Sequence, residues 1–189
     1  MKRAVLLLPI AWISITACSS SPSATTTTSA TTLPACDVSG GTDAKVSGEP
    51  VLVTPLVGID ILATSSPCYE DITIRFNSST DGHAYFPGWA VSYVDDPVYK
   101  EGSSARVDIA GAATLLIQSG AWMPNPSGEG YSGPVDITPT GVSHILQLLQ
   151  VGNHAGVNTW AVGLDAQYPF TVTVPDGPAR IVVRIQVGG

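Results

Sequence analysis

Short hydrophobic or alternating runs follow one another along the chain from Val51 onward, separated by clusters of Gly, Pro, Asn, Asp and Ser. Alternation with a period of two is typical of strands that bury one face, and short runs spaced in this way are typical of an all-β sandwich or barrel. No run of ten or more residues has a clear helical periodicity, which disfavours an α/β architecture with crossover helices. The pattern therefore predicts an all-β fold, an antiparallel β-sandwich of about nine short strands.

The clearest strand covers residues 70–76, where Ile72, Ile74 and Phe76 occupy alternate positions and are predicted to face the core. Eight further strands are predicted over 57–63, 89–94, 105–109, 113–118, 144–151, 158–164, 170–174 and 180–187. The segment 142–151 is ambiguous because its leucines fit a helical turn as well as a strand, and we interpret it as a strand. The Pro-Asp-Gly-Pro sequence at 175–178 is typical of a turn, so the last two strands are predicted to form a hairpin.

The beginning of the chain has a different pattern. Lys2 and Arg3 precede an apolar run that ends at Cys18 and is shorter than the about 20 residues that a membrane span requires. The residues from Ile15 to Cys18 resemble the lipobox of bacterial lipoproteins, whose cysteine is lipidated and becomes the first residue after cleavage. We therefore expect residues 1–17 to be a lipoprotein signal peptide and Cys18 to anchor the protein to the extracytoplasmic side of the cell membrane. The alternative is an ordinary cleaved signal followed by an incidental cysteine.

Residues 18–35 are predicted to form a flexible tether that begins at the lipidated cysteine. Eleven of the sixteen residues from 19 to 34 are Ser or Thr, and almost none is apolar. A segment of this composition cannot bury enough hydrophobic surface to fold. We expect it to separate the membrane from one folded domain over residues 36–189.

Charge and composition narrow the classes of partner. The 189 residues are 44% hydrophobic, enough for one core, and include 8 Lys+Arg against 15 Asp+Glu. The formal net charge of −7 becomes −9 when Lys2 and Arg3 leave with the signal peptide. An acidic domain is a poor candidate for binding nucleic acid or for adsorbing to anionic lipid through a basic face.

Cys36 and Cys68 remain as an even pair once Cys18 is lipidated. Thiols of exported domains are oxidised, so we expect a disulfide between them. A metal site or a catalytic thiol is the alternative, and the absence of a nearby His in the sequence disfavours both.

The sequence contains no arrangement of residues that is typical of catalysis. Residues 128–133 match the literal G-x-G-x-x-G pattern, but they lie in a Pro- and Gly-rich segment and not between a strand and a helix. His83, His144 and His154 are not spaced as metal ligands, and Asp95-Asp96 is interpreted as a solvated turn. We therefore predict no enzyme activity, no catalytic residue, no bound metal and no cofactor.

Aromatic side chains are the better indication of binding, because rings on the loops of a β-sandwich can stack on sugars or flat peptides. Trp89 and Trp160 are assigned to the core instead. For Trp122 and Tyr131, a packing role is an equally good interpretation. The candidate ligand-binding residues, all in segments between predicted strands, are His83, Tyr85, Trp122 and Tyr131.

Several segments follow one another in an order that belongs to a known family. They cover 71–76, 87–94, 131–134, 156–165, 169–172 and 178–183, within about Leu56 to Gln186. In this order they resemble the AMIN-like domain of actinobacterial exported lipoproteins, which is related to the AMIN domain of cell-wall amidases. The resemblance implies a non-catalytic β-sandwich at the cell envelope that binds peptidoglycan or a wall-associated protein. A protein-interaction adaptor of a membrane complex is the alternative, and a wall hydrolase with a dispersed site ranks last.

Overall fold

A computed structural model describes residues 36–37, 39–51, 55–77 and 86–188. The predicted signal peptide, the tether, Cys18, His83 and Tyr85 lie outside these residues. Within the described ranges, no helix is long and apolar enough to cross a membrane. The same ranges contain twelve strands: β1 Lys45–Ser47, β2 Gly58–Ser65, β3 Tyr69–Phe76, β4 Trp89–Val94, β5 Val98–Tyr99, β6 Arg106–Val107, β7 Ala113–Ser119, β8 Asp136–Ile137, β9 Ile145–His154, β10 Val157–Leu164, β11 Phe170–Thr173 and β12 Arg180–Gln186.

The strands form two main sheets and one small one. The larger sheet has the order β1-β4-β7-β10-β9-β8, the smaller main sheet has the order β11-β12-β3-β2, and β5 pairs with β6. All these strand pairs are antiparallel. The fold is therefore the antiparallel all-β sandwich that the alternating pattern predicts.

The hydrophobic core contains side chains from both main sheets. Ile72, Ile74 and Phe76 of β3 are at most 2% exposed, which confirms the predicted orientation of that strand. Trp160 of β10 is fully buried and Trp89 of β4 is 8% exposed, so both belong to the core as predicted. Alternation places one side of each strand in this core because side chains along a strand point to opposite faces of the sheet.

All nine predicted strands are present, with some shifts at their ends. The ambiguous segment forms β9, and the predicted final hairpin is the antiparallel pair of β11 and β12. Strands β1, β5 and β8, which have only two or three residues each, were not predicted. Runs this short contain too few positions to establish a period of two.

Two local features hold the ends of strands together. Cys36 and Cys68 form the predicted disulfide, which ties the start of the domain to the turn between β2 and β3. The carboxylate of Glu70 is buried and accepts hydrogen bonds from the backbone amides of Ser143, His144 and Ile145 at 2.6 to 3.1 Å. Glu70 therefore connects β3 of one sheet to the start of β9 of the other.

Candidate ligand-binding groove

Tyr131, one of the predicted ligand-binding residues, lies in the core. Its side chain is 6% exposed, and its ring packs edge-on against Trp160 with 5.9 Å between the ring centroids. The hydroxyl donates a hydrogen bond to the carbonyl oxygen of Pro134, and burial, with a smaller contribution from the charge of Asp60, raises its pKa. A ring in this position has no open face for stacking, so the structure gives Tyr131 a packing role.

Trp122 is half-buried at the start of a loop that is held firmly in place. The side-chain amide of Asn153 accepts a hydrogen bond from the amide of Met123 and donates one to the carbonyl oxygen of Pro124. Gln150 donates a further hydrogen bond to the carbonyl oxygen of Met123. Trp122 is therefore fixed and partly exposed, and its role in binding stays a prediction.

The G-x-G-x-x-G match belongs to the same loop. In the structure, residues 128–133 form turns and irregular backbone, with no helix after them. The side chain of Asn125 accepts hydrogen bonds from the amides of Ser127 and Glu129, which is a local turn motif. The match therefore does not have the strand-to-helix geometry of a dinucleotide site.

A short hairpin lies on the outer face of the larger sheet. It is formed by β5 and β6 and covers a small second cluster of buried side chains, Val98, Val151 and Ala161. Partly buried hydrophobic side chains extend this cluster along the sheet: Val94, Val107, Ile109, Leu116 and Leu149. The outer face is therefore hydrophobic under the hairpin, although the opposite face of the same sheet supplies the main core.

Two glycines of the sheet allow the segment that contains the hairpin to come close. A Cβ at Gly163 would collide with the backbone oxygen of Ala110, just after β6. A Cβ at Gly152 would collide with the carboxylate of Glu101 in the turn between β5 and β6. Residues 98–110 therefore contact the sheet at both of these positions, and the Glu101 carboxylate lies directly over β9.

A groove of about 350 Å³ runs between this hairpin and strands β4, β7, β9 and β10. We call it the hairpin groove. Its hydrophobic lining comes from Val94, Pro97, Val98, Leu116 and Val151. Its polar lining comes from Asp95, Tyr99, Glu101, Gln118 and Thr159. A concave site with an apolar surface and a few convergent polar groups is the usual form of a ligand-binding site.

The polar side chains of the hairpin groove lack partners within the described part of the chain. Thr159 is only 5% exposed, yet its hydroxyl makes no hydrogen bond with any described residue, and neither does the side chain of Gln118. Likewise, Asp95 and Glu101 form no ion pair with a described residue. Tyr99 at the rim is 53% exposed, so its ring is available to a ligand.

A second groove of about 510 Å³ continues on the other side of the turn between β5 and β6. The two grooves share Glu101 and Val151 in their linings. Gln150 and Asn153 line the second groove and also hold the loop that carries Trp122. The surface around the hairpin is thus structurally connected to the loop that the sequence singled out.

A family model for the AMIN-like domain matches residues 56–187 of the chain. The chain belongs to the AMIN-like family. Membership indicates a peptidoglycan-related domain of the cell envelope on the extracytoplasmic side, and domains of this family are generally non-catalytic binding domains. No curated protein and no solved structure matches the chain.

The outer face of the other sheet of this AMIN-like domain has a different character. Its carboxylates are paired across strands, with Asp71 accepting two hydrogen bonds from Arg184 at 2.7 and 2.9 Å and Asp60 paired with Arg75. A groove of about 370 Å³ there is lined mostly by threonines and arginines: Asp71, Thr73, Thr171, Thr173, Pro175, Arg180, Val182 and Arg184. We call this surface the threonine-arginine face.

A third polar cluster lies near the end of β10. His144 Nδ1 is 3.0 Å from Asp165 Oδ2 and 2.9 Å from the Tyr168 hydroxyl. Partial burial alone would raise the pKa of Asp165, but the hydrogen bonds from His144 and Tyr168 and the charge of His144 together lower it. These groups satisfy one another, and we assign the cluster to holding the loop after β10 against the start of β9.

The described residues contain no group of three or more His, Cys, Asp or Glu side chains placed to hold a metal ion. Sequence patterns also do not reveal the hairpin groove. Asp95 was interpreted only as part of a turn, Tyr99 and Gln118 stand in no motif, and Thr159 lies in the segment 156–165, which served only for the family resemblance. The one available signal was a tyrosine in a short hydrophobic run directly after the acidic pair.

Proposed function

We propose that this protein is a membrane-anchored, non-catalytic lipoprotein of the cell envelope whose AMIN-like domain binds peptidoglycan through the hairpin groove. The observation that carries this proposal is the set of unpaired polar side chains over a hydrophobic surface in that groove. Sugar rings are bound by stacking on an aromatic ring together with a few hydrogen bonds. Tyr99 supplies the ring, and Gln118 and Thr159 supply the donors and acceptors.

The anchor supports the same proposal. Cys18 follows a short signal-like run, and the Ser/Thr-rich residues after it provide a spacer of low hydrophobicity. A lipidated Cys18 would hold the domain near the outer surface of the membrane, within reach of the wall. Cys18→Ala should abolish labelling of the protein with radioactive palmitate and release it from the membrane fraction. Retention of the unlabelled variant in the membrane would contradict the anchor.

The binding test uses the exported chain from residue 18 with Cys18 replaced by Ala, so that lipid does not contribute to retention. We expect saturable retention on purified cell-wall sacculi. Tyr99→Ala combined with Gln118→Ala should weaken retention by about tenfold, because both changes remove contacts in the hairpin groove. Thermal unfolding of each variant checks that the fold is intact.

Trp122→Ala is the informative comparison in the same experiment. It removes the exposed part of the sequence-predicted loop site and leaves the hairpin groove unchanged. Retention that falls with Trp122→Ala and not with the Tyr99 and Gln118 changes would move the site to the loop. Absence of saturable retention at any salt concentration or pH would overturn wall binding altogether.

One observation favours a second candidate, a protein-interaction adaptor of a membrane complex. Strand β2 has eight residues and lies at the edge of its sheet, with Ile59 43% exposed. After Gly58, whose backbone amide and carbonyl already pair with Trp122 and Tyr131, such an edge presents backbone groups to which a strand of another protein can pair. Site-specific crosslinking from position 59 in cells tests this candidate, which requires one specific protein adduct. An outcome with no protein adduct would remove it.

A further inference from the structure

The charges of the hairpin groove are all of one sign. Asp95 and Glu101 are the charged residues in its lining, and none of the lining residues is Lys, Arg or His. Lys100 lines the second groove instead, and Arg106, which pairs with Tyr99 across the hairpin, is 3.6 Å from Asp108. A ligand in the hairpin groove therefore meets two carboxylates that have no protein cation to neutralise them.

Four carboxylates elsewhere in the domain are satisfied by the protein itself. Asp60 and Asp71 pair with arginines, Asp165 pairs with His144, and Glu70 accepts backbone hydrogen bonds. Asp95 and Glu101 have no such partner, and both are exposed in the lining of the groove. The position of Glu101 is the more constrained, because its carboxylate lies over Gly152.

Thr159 gives an independent indication that the groove accommodates a polar ligand. The residue is 5% exposed, and within the described residues its hydroxyl has no hydrogen-bond partner. A hydroxyl without a protein partner in the lining of a groove is free to bond to a molecule in that groove. Thr159 is the cross-strand partner of Gly152, over which the Glu101 carboxylate lies, so one ligand can reach both groups.

We infer that the hairpin groove recognises a ligand that presents a protonated primary amine beside a ring or short hydrophobic segment. The amine would lie at the Glu101 carboxylate or at the Asp95 carboxylate near the other end of the hairpin, the ring or apolar segment against Tyr99 and Leu116, and a polar group of the ligand at Thr159. This inference rests on the proposed function and specifies its ligand. In peptidoglycan, such an amine comes either from the diamino acid of a stem peptide or from an amino sugar that lacks its N-acetyl group.

The test measures affinities of the unlipidated full chain by isothermal titration calorimetry. The probes are a soluble muropeptide with a free side-chain amine, the same muropeptide after chemical N-acetylation, and a glucosamine oligosaccharide without acetyl groups. We expect loss of the amine to weaken binding by about fivefold or more, which is the scale of a charge-assisted contact at a partly exposed site. Tight binding of the oligosaccharide instead of the free-amine muropeptide would assign the amine to the sugar.

Matched variants test whether the two carboxylates are responsible. Asp95→Asn with Glu101→Gln should weaken binding of the free-amine ligand to the level of the acetylated one, because the neutral side chains keep the shape and remove the charge. Asp43→Asn with Glu49→Gln makes the same change of charge at two exposed positions outside the groove lining and should leave the difference between the two ligands intact. Comparing the ligand pair in each variant isolates the coupling between amine and carboxylate.

Failure of this inference is distinguishable from failure of wall binding. Equal affinities for free and acetylated ligands, or an unchanged preference in the Asp95 and Glu101 variant, would overturn the amine inference while retention on sacculi could still stand. If neither sacculi nor any of the three soluble ligands bind, both proposals fall together.

Discussion

The two outer faces of the sandwich differ in whether their carboxylates have cationic partners. On the threonine-arginine face, Asp60 and Asp71 lie opposite arginines, so the ionic groups neutralise one another across strands. On the hairpin side, Asp95 and Glu101 have no such partners among the described residues, and they border a hydrophobic surface. Both faces belong to antiparallel sheets of similar strands, so the difference comes from the extra hairpin.

This difference separates a surface whose charges the protein neutralises from the surface to which we assign the proposed ligand. Paired charges on a threonine-rich sheet are a stable solvated surface and leave little unsatisfied hydrogen-bonding capacity. Unpaired polar groups beside buried Val98 and Val151 are open to solvent in the free protein and are available to another molecule. Changes on the threonine-arginine face should therefore lower stability and leave binding unchanged, whereas changes in the hairpin groove should weaken binding and leave stability unchanged.

The largest expected effect tests whether the two faces depend on each other. Cys36→Ser with Cys68→Ser removes a disulfide between residues 32 apart, which should lower the free energy of unfolding by about 3 to 4 kcal/mol in the chain-entropy model. The bond joins the start of the domain to the β2–β3 turn, so binding per folded molecule should stay unchanged. Urea unfolding and sacculus retention measure the two quantities. Loss of binding in the folded variant would show that the faces are coupled.

Two glycines of the larger sheet provide the next contrast. Gly163→Ala should destabilise the fold by about 1 to 3 kcal/mol, because the new methyl group meets the backbone of Ala110. Gly152→Ala meets the Glu101 side chain, most closely its carboxylate, and no backbone atom among the nearest contacts, so it should destabilise the fold less than Gly163→Ala and weaken ligand binding by moving the carboxylate. Thermal unfolding and calorimetric titration of both variants check this pair. Equal destabilisation by the two changes would contradict the described contacts of the hairpin.

One aspartate from each face gives a smaller and more direct contrast. Asp71→Asn breaks the two-bond pair with Arg184 and should cost about 0.5 to 1 kcal/mol of stability with no effect on binding. Asp95→Asn removes a charge without a protein partner and should leave stability unchanged while weakening binding by a few fold. Chemical denaturation and titration of both variants are needed. The contrast fails if Asp71→Asn weakens binding as much as Asp95→Asn does.

The smallest effect concerns Asp165, which lines neither face and serves as a baseline. The pKa of this carboxyl is lower in the folded chain than its ordinary value of 3.8. Its contribution therefore stabilises the fold above about pH 4 and disappears as the pH falls through the folded pKa. Asp165→Asn should reduce the free energy of unfolding by a few tenths of a kcal/mol at pH 6, since the side chain is partly exposed. The difference between the variant and the wild type should shrink as the pH falls through the folded pKa of Asp165, and a difference that does not shrink in acid would contradict this role.

The sequence alone determined the fold class, most of the strands and the disulfide of this protein. Alternation along residues 70–76 fixes which side chains face the core, because successive side chains on a strand point to opposite sides. Of the three cysteines, Cys18 was assigned to lipidation, which left Cys36 and Cys68 as the predicted pair, and the ordered segments between Leu56 and Gln186 identified the AMIN-like family. These properties depend on local pattern and on residue order, which a single sequence contains.

Only the tertiary structure decided which polar residues converge. Gln118 and Thr159 lie far apart in sequence and are cross-strand partners because β7 and β10 are neighbours in one sheet, and Asp95 and the hairpin border the same groove. Two tyrosines show that the sequence does not determine exposure. Tyr131 was predicted to bind ligand and is buried, whereas Tyr99 was not predicted to do so and is exposed. Exposure of an aromatic ring depends on what the rest of the chain packs against it, and no local pattern records that.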